Sequence, residues 1–462
     1  MFKKVDWGLC AVIVVTLLFS VVYLNILDRF WFEDDPFAYQ YARKIGNPLE
    51  IFFNPEIMRH FGTGSSLVPM QLLSYWLDIK LFGVSTVAAY LHSCISLVAT
   101  SSLLYLFFRK LTGQLTGAAL LALAWTVLPS TIAVHFFIAT RHYMEGFTWS
   151  LIACLMTVTL CSDEHRERKP LLLGMACLAA LAAMLSKELY VTTLPSFIFL
   201  YSLGRKRYDL AALQVVVAIL YLFYRFWIIG GVGDYPVGRL DWQTYLIYLS
   251  VLPYTLASHK GGYAILLGMV TLILYLAAIR RKEAIAPLLM IFVLLVTALM
   301  AAYPTASPVL GSYQIPGTWY RGTFIVNLVL FLSMGYLLLR FTPRTVQVAA
   351  LLLIVAVLLP GIRKTRDYWD FRLTNAENEA RFYLANPDKL IMSEERAHWF
   401  MPHIHNLYGV THPHYLNMQS LKGDHAKEMV ERFPTIWRIS NGVPFPDDRL
   451  YWEVRIDNSR NP

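Results

Sequence analysis

Residues 7–36 read WGLCAVIVVTLLFSVVYLNILDRFWFEDDP. From Trp7 to Leu27 there is no charged side chain. That is long enough for a helix to cross a bilayer core, which takes roughly 17–25 mostly apolar residues. Lys3 and Lys4 precede it, as they would a secretory signal. The run is too long for a signal's apolar region, however, and no small-residue cleavage site follows. It reads as a retained first span. Next come Trp31-Phe32-Glu33-Asp34-Asp35-Pro36. Three adjacent carboxylates repel one another unless a cation, a metal or a proton transfer uses them. The plain reading is a solvated acidic turn in which Asp35 caps a helix beginning at Pro36. The aromatic residues in front bring the carboxylates down to the bilayer surface, which favours a functional reading.

The rest of the chain has the same character. Of its 462 residues, 56% are apolar and only 15% charged, against about a quarter charged in soluble domains. A soluble enzyme, a disordered chain and an ordinary nucleic-acid binder are thereby excluded. Apolar runs predict ten further spans, at 84–108, 115–134, 146–161, 171–186, 189–203, 210–229, 263–279, 284–303, 322–339 and 345–362. The net charge of +9 is explained by where the basic residues fall. Every second loop is basic: Lys3/Lys4, Arg109/Lys110, Arg166/Arg168/Lys169, Arg205/Lys206/Arg207, Arg280/Arg281/Lys282 and Arg340/Arg344. Positive charge in short loops marks the cytoplasmic side. The expectation is a polytopic α-helical protein of the plasma (inner) membrane with eleven spans, its N-terminus cytoplasmic and its tail outside. Residues 242–257 are apolar enough to resemble a span, but counting them would break the alternation, so they read as an interfacial or re-entrant helix. Cys10, Cys94, Cys154, Cys161 and Cys177 all lie in apolar stretches without a CxxC pair, and read as small hydrophobes.

The division expected is a transmembrane catalytic domain over 1–362 and a small external α/β domain over 363–462. The first outer loop, 28–83, is too long for a plain connection. Within it, 36–45 and 66–82 read as short helices on the membrane surface, the second placing Leu67, Met70, Leu73, Leu77 and Leu81 at helical spacing. From Lys364 onward the tail holds 13 Lys/Arg and 14 Asp/Glu, so it is charged but nearly balanced. It also carries His398, His403, His405, His412, His414 and His425. With no cysteine beside them and aromatics between them, these read as part of a folded domain more than as a metal centre.

Several cations fall at the outer membrane face with Glu33, Asp34 and Asp35. Lys187-Glu188 interrupts an apolar stretch at membrane depth, where ionisable groups are functional candidates. The plain alternative is a surface pair that lets the chain turn. Arg141-His142-Tyr143-Met144-Glu145 lies in the second outer loop, Arg225 near the outer end of its span and Arg321 after Trp319-Tyr320. Each could be an interface anchor. Together, cations and carboxylates at a lipid–water boundary suit a lipid-linked phosphate, the cations binding phosphate and a carboxylate acting as base.

In order and topology these segments resemble the GT-C superfamily of membrane glycosyltransferases. The likeness is greatest to the protein O-mannosyltransferases and the transmembrane-and-tetratricopeptide-repeat O-mannosyltransferases, with their bacterial relatives. Phe32-Glu33-Asp34-Asp35 looks like the acidic motif of that family's first outer loop. Val68-Pro69-Met70 through Leu81-Phe82-Gly83, then Phe107 to Gly113, looks like its loop helix and second span. Leu128-Pro129 through Thr140-Arg141 looks like its second outer loop, and Leu185-Ser186-Lys187-Glu188 like its Ser-Lys-Glu segment. Tyr320-Arg321 is a weaker match in the last outer loop. The pattern departs at Val68, where the family usually has Arg, and at Ala133, where it often has a glutamate for which Glu145 is the local substitute. The repeats are absent. The resemblance covers about the first 340 residues and implies an inverting transfer of a sugar from a polyprenyl-phosphate carrier to an acceptor hydroxyl of a protein, lipid or glycan. Asp34 would be the base, with Asp35 or Glu33 orienting it or assisting a divalent metal, which the motif neither requires nor excludes. Arg141, Lys187 and Arg321 would bind the donor phosphate, and Glu188, Glu145 and Arg225 would support them.

Other classes compete. A transporter or flippase of a lipid-linked saccharide would show inverted repeats and charges near the bilayer midplane, whereas here no repeat is visible and the charges gather at one face. An inactive relative serving as an assembly subunit fits the departures at Val68 and Ala133. A ligase using a diphosphate-linked donor is a further enzyme alternative. The alternation of basic loops makes the topology testable. A reporter fused after Pro462 is expected to be active only outside the cytoplasm, and cytoplasmic activity would overturn the assignment.

Overall fold

The computed structural model describes residues 5–32, 34–62, 66–162, 169–231, 285–310, 319–386, 388–393, 401–409, 415–417, 428–429, 431–440, 443–448 and 450. It is predominantly helical. The first span forms α1 (Trp7–Leu18), capped by the Asp6 carboxylate on the Leu9 N–H, and continues through a π-helical turn at Phe19–Tyr23. The long loop expected at 28–83 holds α2 (Asp35–Arg43), α3 (Glu50–Phe53), α4 (Pro55–Phe61) and α5 (Pro69–Phe82). Then follow α6 (Thr86–Thr112), α7 (Leu115–Thr126), α8 (Pro129–Phe136), α9 (Arg141–Leu160), α10 (Lys169–Ser186), α11 (Leu189–Gly204), α12 (Tyr208–Ile229), α13 (Ile285–Leu310), α14 (Trp319–Phe341) and α15 (Arg344–Ala385). By length and composition six helices among the described residues are able to cross a membrane, or seven if the bent pair α7/α8 is one span. α10, α11 and the 285–298 part of α13 are shorter apolar helices. The expected span at 263–279 and the expected interfacial helix at 242–257 lie outside the described residues.

Two expectations are corrected, those for 115–134 and for α5. The run 115–134 is not one straight span, because α7 and α8 meet at 55°. Leu128 precedes Pro129, and the proline ring disfavours helical backbone at the residue before it. Leu128 is accordingly extended, with φ −60 and ψ 136. All eight residues of α8 are buried. α15 runs unbroken across 362/363, from the last apolar stretch into the tail. The apolar stripe expected on α5 is divided. Leu67 and Leu72 are buried, while Leu77, Leu81 and Phe82 face outward and the polar Gln71, Ser74 and Asp78 face the core. With its apolar side outward and polar groups inward, α5 is inverted relative to a helix on a soluble core.

Small and hydroxyl-bearing residues hold the bundle together. Val12, Thr16 and Ser20 are the buried residues of α1 and its π turn. Ser20 Oγ lies 2.7 Å from His135 Nε2, and Thr126 Oγ1 lies 2.8 Å from Ser101 Oγ. Lipid gives no hydrophobic drive for helix association, so close packing and such hydrogen bonds supply it. The tail adds a helix, α16 (Met401–Tyr408), and a four-stranded sheet of β1 (Leu390–Ser393), β2 (Tyr415–Asn417), β3 (Ile436–Ser440) and β4 (Val443–Pro446). Its order is β2-β1-β3-β4, with β1 parallel to both neighbours and β3/β4 antiparallel. The tail is thus α/β, as expected.

Where α9 crosses the α10/α11 break the contact is through Gly146. A Cβ there would overlap the Tyr190 ring and come within 3.1 Å of Ser186 Cβ. Tyr190 cannot swing aside, because it is buried and its hydroxyl donates to the Tyr143 carbonyl. Gly146→Ala is therefore expected to cost about 1–3 kcal/mol, the usual penalty of overpacking, read as a lower Tm of the detergent-solubilised protein. An unchanged Tm would show that the helices separate freely at this crossing.

Candidate functional site

The acidic motif is held by its second aspartate. Asp35 is fully buried. Its Oδ2 accepts from the Phe32 N–H at 3.0 Å, and its Oδ1 accepts from the Ala139 N–H at 2.6 Å. One carboxylate thus joins the first outer loop to the short 3₁₀ turn Ile138–Thr140 that precedes α9. This differs from the expected cap. The helix begins at Asp35, one residue earlier than expected, and the carboxylate reaches back and across instead of into the first turn. Asp34 takes the capping position but makes no capping bond, and its side chain is exposed. It opens into a cavity of about 370 Å³, whose polar walls include Gln71, His142, Tyr143 and Lys187 and whose apolar wall includes Phe37.

Lys187 stands in the break between α10 and α11 and is 7% exposed. Its ammonium lies 3.4 Å from Glu188 Oε2 and 5.6 Å from the centre of the Tyr143 ring. Glu188 Oε1 in turn accepts from the Leu67 N–H at 2.5 Å and lies 3.3 Å from Arg225 Nη1. The pair is therefore more than a surface turn. It joins α10/α11, α12 and the segment ahead of α5 to a lysine on the cavity wall, and it gives Glu188 and Arg225 a supporting position.

Arg141 is placed differently from expectation. It is 1% exposed and does not line the cavity. Its Nη1 lies 2.8 Å from Asp78 Oδ2 and donates to the Ala89 carbonyl, its Nη2 donates to Ser74 Oγ, and its Nε lies 2.9 Å from Glu145 Oε1. The guanidinium also lies 5.1 Å over the Tyr75 ring. Its donors are directed at protein groups of α5, α6 and α9. Around it, Tyr39 Oη donates to Asp78 Oδ2 at 2.6 Å, and His92 bridges Asp78 and Glu145 at 2.6 and 3.5 Å. Burial pushes the Asp78 carboxyl up, but Arg141, His92 and the Tyr39 hydroxyl together outweigh it and hold that carboxyl below its ordinary value. Glu33, the Arg321 side chain, His398, His412, His414, His425 and the His405 side chain lie outside the described residues. Among the described residues no group of three or more His, Cys, Asp or Glu side chains is arranged to hold a metal ion.

Reading the sequence alone misses Asp78, His92, Tyr39, Gln71 and the wall residue His142. For α5 a signal exists, since Gln71, Ser74/Tyr75 and Asp78 recur at i, i+3/i+4 and i+7.

No family model and no curated protein matches this chain. Among solved structures it is similar to ArnT from Cupriavidus metallidurans bound to undecaprenyl phosphate. The two are 15% identical, the match covers 94% of this chain and 89% of that one, and the TM-score is 0.48. It is also similar to the archaeal oligosaccharyltransferase AglB from Archaeoglobus fulgidus in complex with an inhibitory peptide and a dolichol-phosphate. There the identity is 12%, the coverage 94% of this chain and 69% of that one, and the TM-score 0.48.

Removing the Arg141 charge strands Asp78 and Glu145. Breaking a buried pair from one side costs about 3–5 kcal/mol, so Arg141→Leu should lower the Tm of the solubilised protein sharply. Because the folded Asp78 value lies below the unfolded one near 3.9, its contribution is complete above that range and fades as pH falls through the folded value. The wild type should therefore lose stability in acid below about pH 4, and Arg141→Leu should lose less there. A variant as stable as the wild type would return Arg141 to the substrate contacts.

Proposed function

We propose that this chain is an inverting GT-C-type glycosyltransferase that moves a sugar from a polyprenyl-phosphate carrier to an acceptor hydroxyl at the outer face of the inner membrane. The observation that carries this reading is the shared cavity of Asp34 and Lys187. It brings an exposed carboxylate that makes no capping bond and a buried ammonium to the walls of one cavity.

The acceptor oxygen forms its bond to the anomeric carbon as the bond from that carbon to the phosphate oxygen breaks. The electron pair leaves with the polyprenyl phosphate, and the hydroxyl proton passes to Asp34. A single displacement inverts the anomeric centre. The phosphate is already a good leaving group, so the main needs are a base held against the reacting carbon and a cation for the departing charge. Lys187 provides the cation, with Glu188 and Arg225 setting its position. Arg321 is a second candidate for the phosphate. Asp35 and the Arg141 cluster hold the two outer loops in register, and Glu145 belongs to that support. The reading requires no divalent metal.

Asp34→Asn keeps the size but cannot take a proton at neutral pH. It is expected to lower turnover by roughly 10²–10⁴-fold without unfolding the protein. Asp35→Asn should instead lower the Tm, because one of its two backbone N–H partners would then face an NH₂ group. Lys187→Ala should weaken binding of undecaprenyl phosphate, used as the probe. These are checked by comparing gene-dependent glycans by mass spectrometry and by Tm shifts with the lipid. Full transfer by the double variant Glu33→Gln/Asp34→Asn would sink the mechanism in favour of a transporter or an assembly subunit.

A further inference from the structure

Gln71 of α5 lines the cavity of Asp34 and Lys187 and is 7% exposed. Its Nε2 donates to the Ala139 carbonyl and to Tyr75 Oη, each at 2.9 Å. The Tyr75 hydroxyl spends its own hydrogen on the Ile138 carbonyl at 3.0 Å, so toward Gln71 it only accepts. A carbonyl accepts only as well, and the amide cannot turn over without setting oxygen against oxygen. Both amide hydrogens are therefore committed, and Oε1 is the atom left over. Among the described residues no protein group donates to Oε1, and it is not sealed from solvent.

Ala139, itself a wall residue, is thereby held from both sides, its N–H by Asp35 and its carbonyl by Gln71. Through that one residue the Gln71 amide is fixed relative to the acidic motif. Thr140, next along the wall, has the same bias. Its hydroxyl hydrogen is directed at the Val134 and Phe137 carbonyls, at 3.0 and 2.8 Å. These two side chains offer the cavity lone pairs and no hydrogens. A phosphate diester, whose oxygens only accept, gains nothing from them. A sugar does, because each of its free hydroxyls carries a hydrogen.

Resting on the glycosyltransferase reading above, we propose that Gln71 is a specificity-determining residue, its Oε1 accepting a hydrogen bond from a hydroxyl of the sugar being transferred. With the phosphate at Lys187 and the base at Asp34, the sugar is the part of the substrates that lies between them, since the bonds made and broken are both at its anomeric carbon. The transferred sugar thus carries a free hydroxyl where it passes α5. A sugar lacking that hydroxyl leaves the amide oxygen unpaired and is discriminated against.

The test uses the full chain, in cells and purified in detergent. Mass spectrometry of the gene-dependent glycan identifies the sugar. That sugar and its monodeoxy analogues, each joined to undecaprenyl phosphate, are then the donor probes. Gln71→Met keeps the length of the side chain and removes the oxygen. It should lower transfer of the natural sugar about 3–10-fold, the range for one lost hydrogen bond, while undecaprenyl phosphate still protects the purified protein against heat. The wild type should transfer one monodeoxy donor about 3–10-fold more slowly than the natural sugar, and Gln71→Met should transfer the two equally. Tyr75→Phe breaks the same Gln71–Tyr75 bond but leaves Oε1 in place, so it should lower the Tm and keep the wild-type order of donors. Equal transfer of every monodeoxy donor by the wild type would overturn the proposal without any variant. So would wild-type transfer by Gln71→Met, or an unchanged order of donors in that variant, which would give the bond to the acceptor instead. The glycosyltransferase reading fails separately, if no glycan depends on the gene or if Glu33→Gln/Asp34→Asn still makes it.

Discussion

Both oxygens of Asp35 are engaged by backbone N–H groups, one in its own loop and one in the turn before α9. An ionised carboxylate withdrawn from water is costly unless its lone pairs are satisfied. Here the satisfaction comes from two segments that are 104 residues apart in the chain. The two loops can therefore part only by giving up one of these two bonds. The rest of the site inherits its geometry from this tie. Asp34, next in line, is turned outward, and the residues after Ala139 become the opposite wall of the same cavity.

A second buried charge stiffens the frame. Arg141 begins α9, and its partners come from α5, α6 and α9. Charge-assisted bonds from one planar donor to several elements fix relative angle as well as distance. The aromatic faces of Tyr75 below Arg141 and Tyr143 near Lys187 add orientation to both cations. The two cations nevertheless do different work. Arg141 is enclosed by two carboxylates and a hydroxyl, whereas Lys187 has its carboxylate partner beside it and the cavity in front.

That difference was not legible in the sequence. Arg141 and Lys187 both appear there as isolated cations beside a glutamate near an outer loop. Which of them is closed off depends on Asp78, a residue of another loop, and on the rotation of α5 about its axis. The helix carries an apolar stripe and a polar stripe, and the sequence reading followed the apolar one, because burial in water usually selects it. At a membrane surface that rule no longer decides. The positions of ten of the eleven expected spans do coincide with described helices, since uninterrupted apolar length is a property of the chain itself. The acidic motif and Lys187 were likewise visible, as ionisable groups placed where they are expensive. The bend at Leu128-Pro129 was written in the dipeptide but hidden by the apolar run around it. The contact of His403 with Gln40 spans 363 residues of chain, which no local pattern can announce.

The last helix gives the molecule a mechanical property. α15 has 42 residues and passes through Pro360 without a break. At 1.5 Å per residue that is a rod of about 60 Å. A rod of this kind transmits rotation as well as distance, so the angular setting of the last span fixes the direction in which the tail presents α16. Adding one residue to the part of the rod beyond Ile362 would turn everything after it by about 100°, carrying α16 away from α2, on which it packs, with every local contact in the tail still intact. The tail is a phased attachment, and its register with the acidic motif is kept by the number of residues between them as much as by their chemistry.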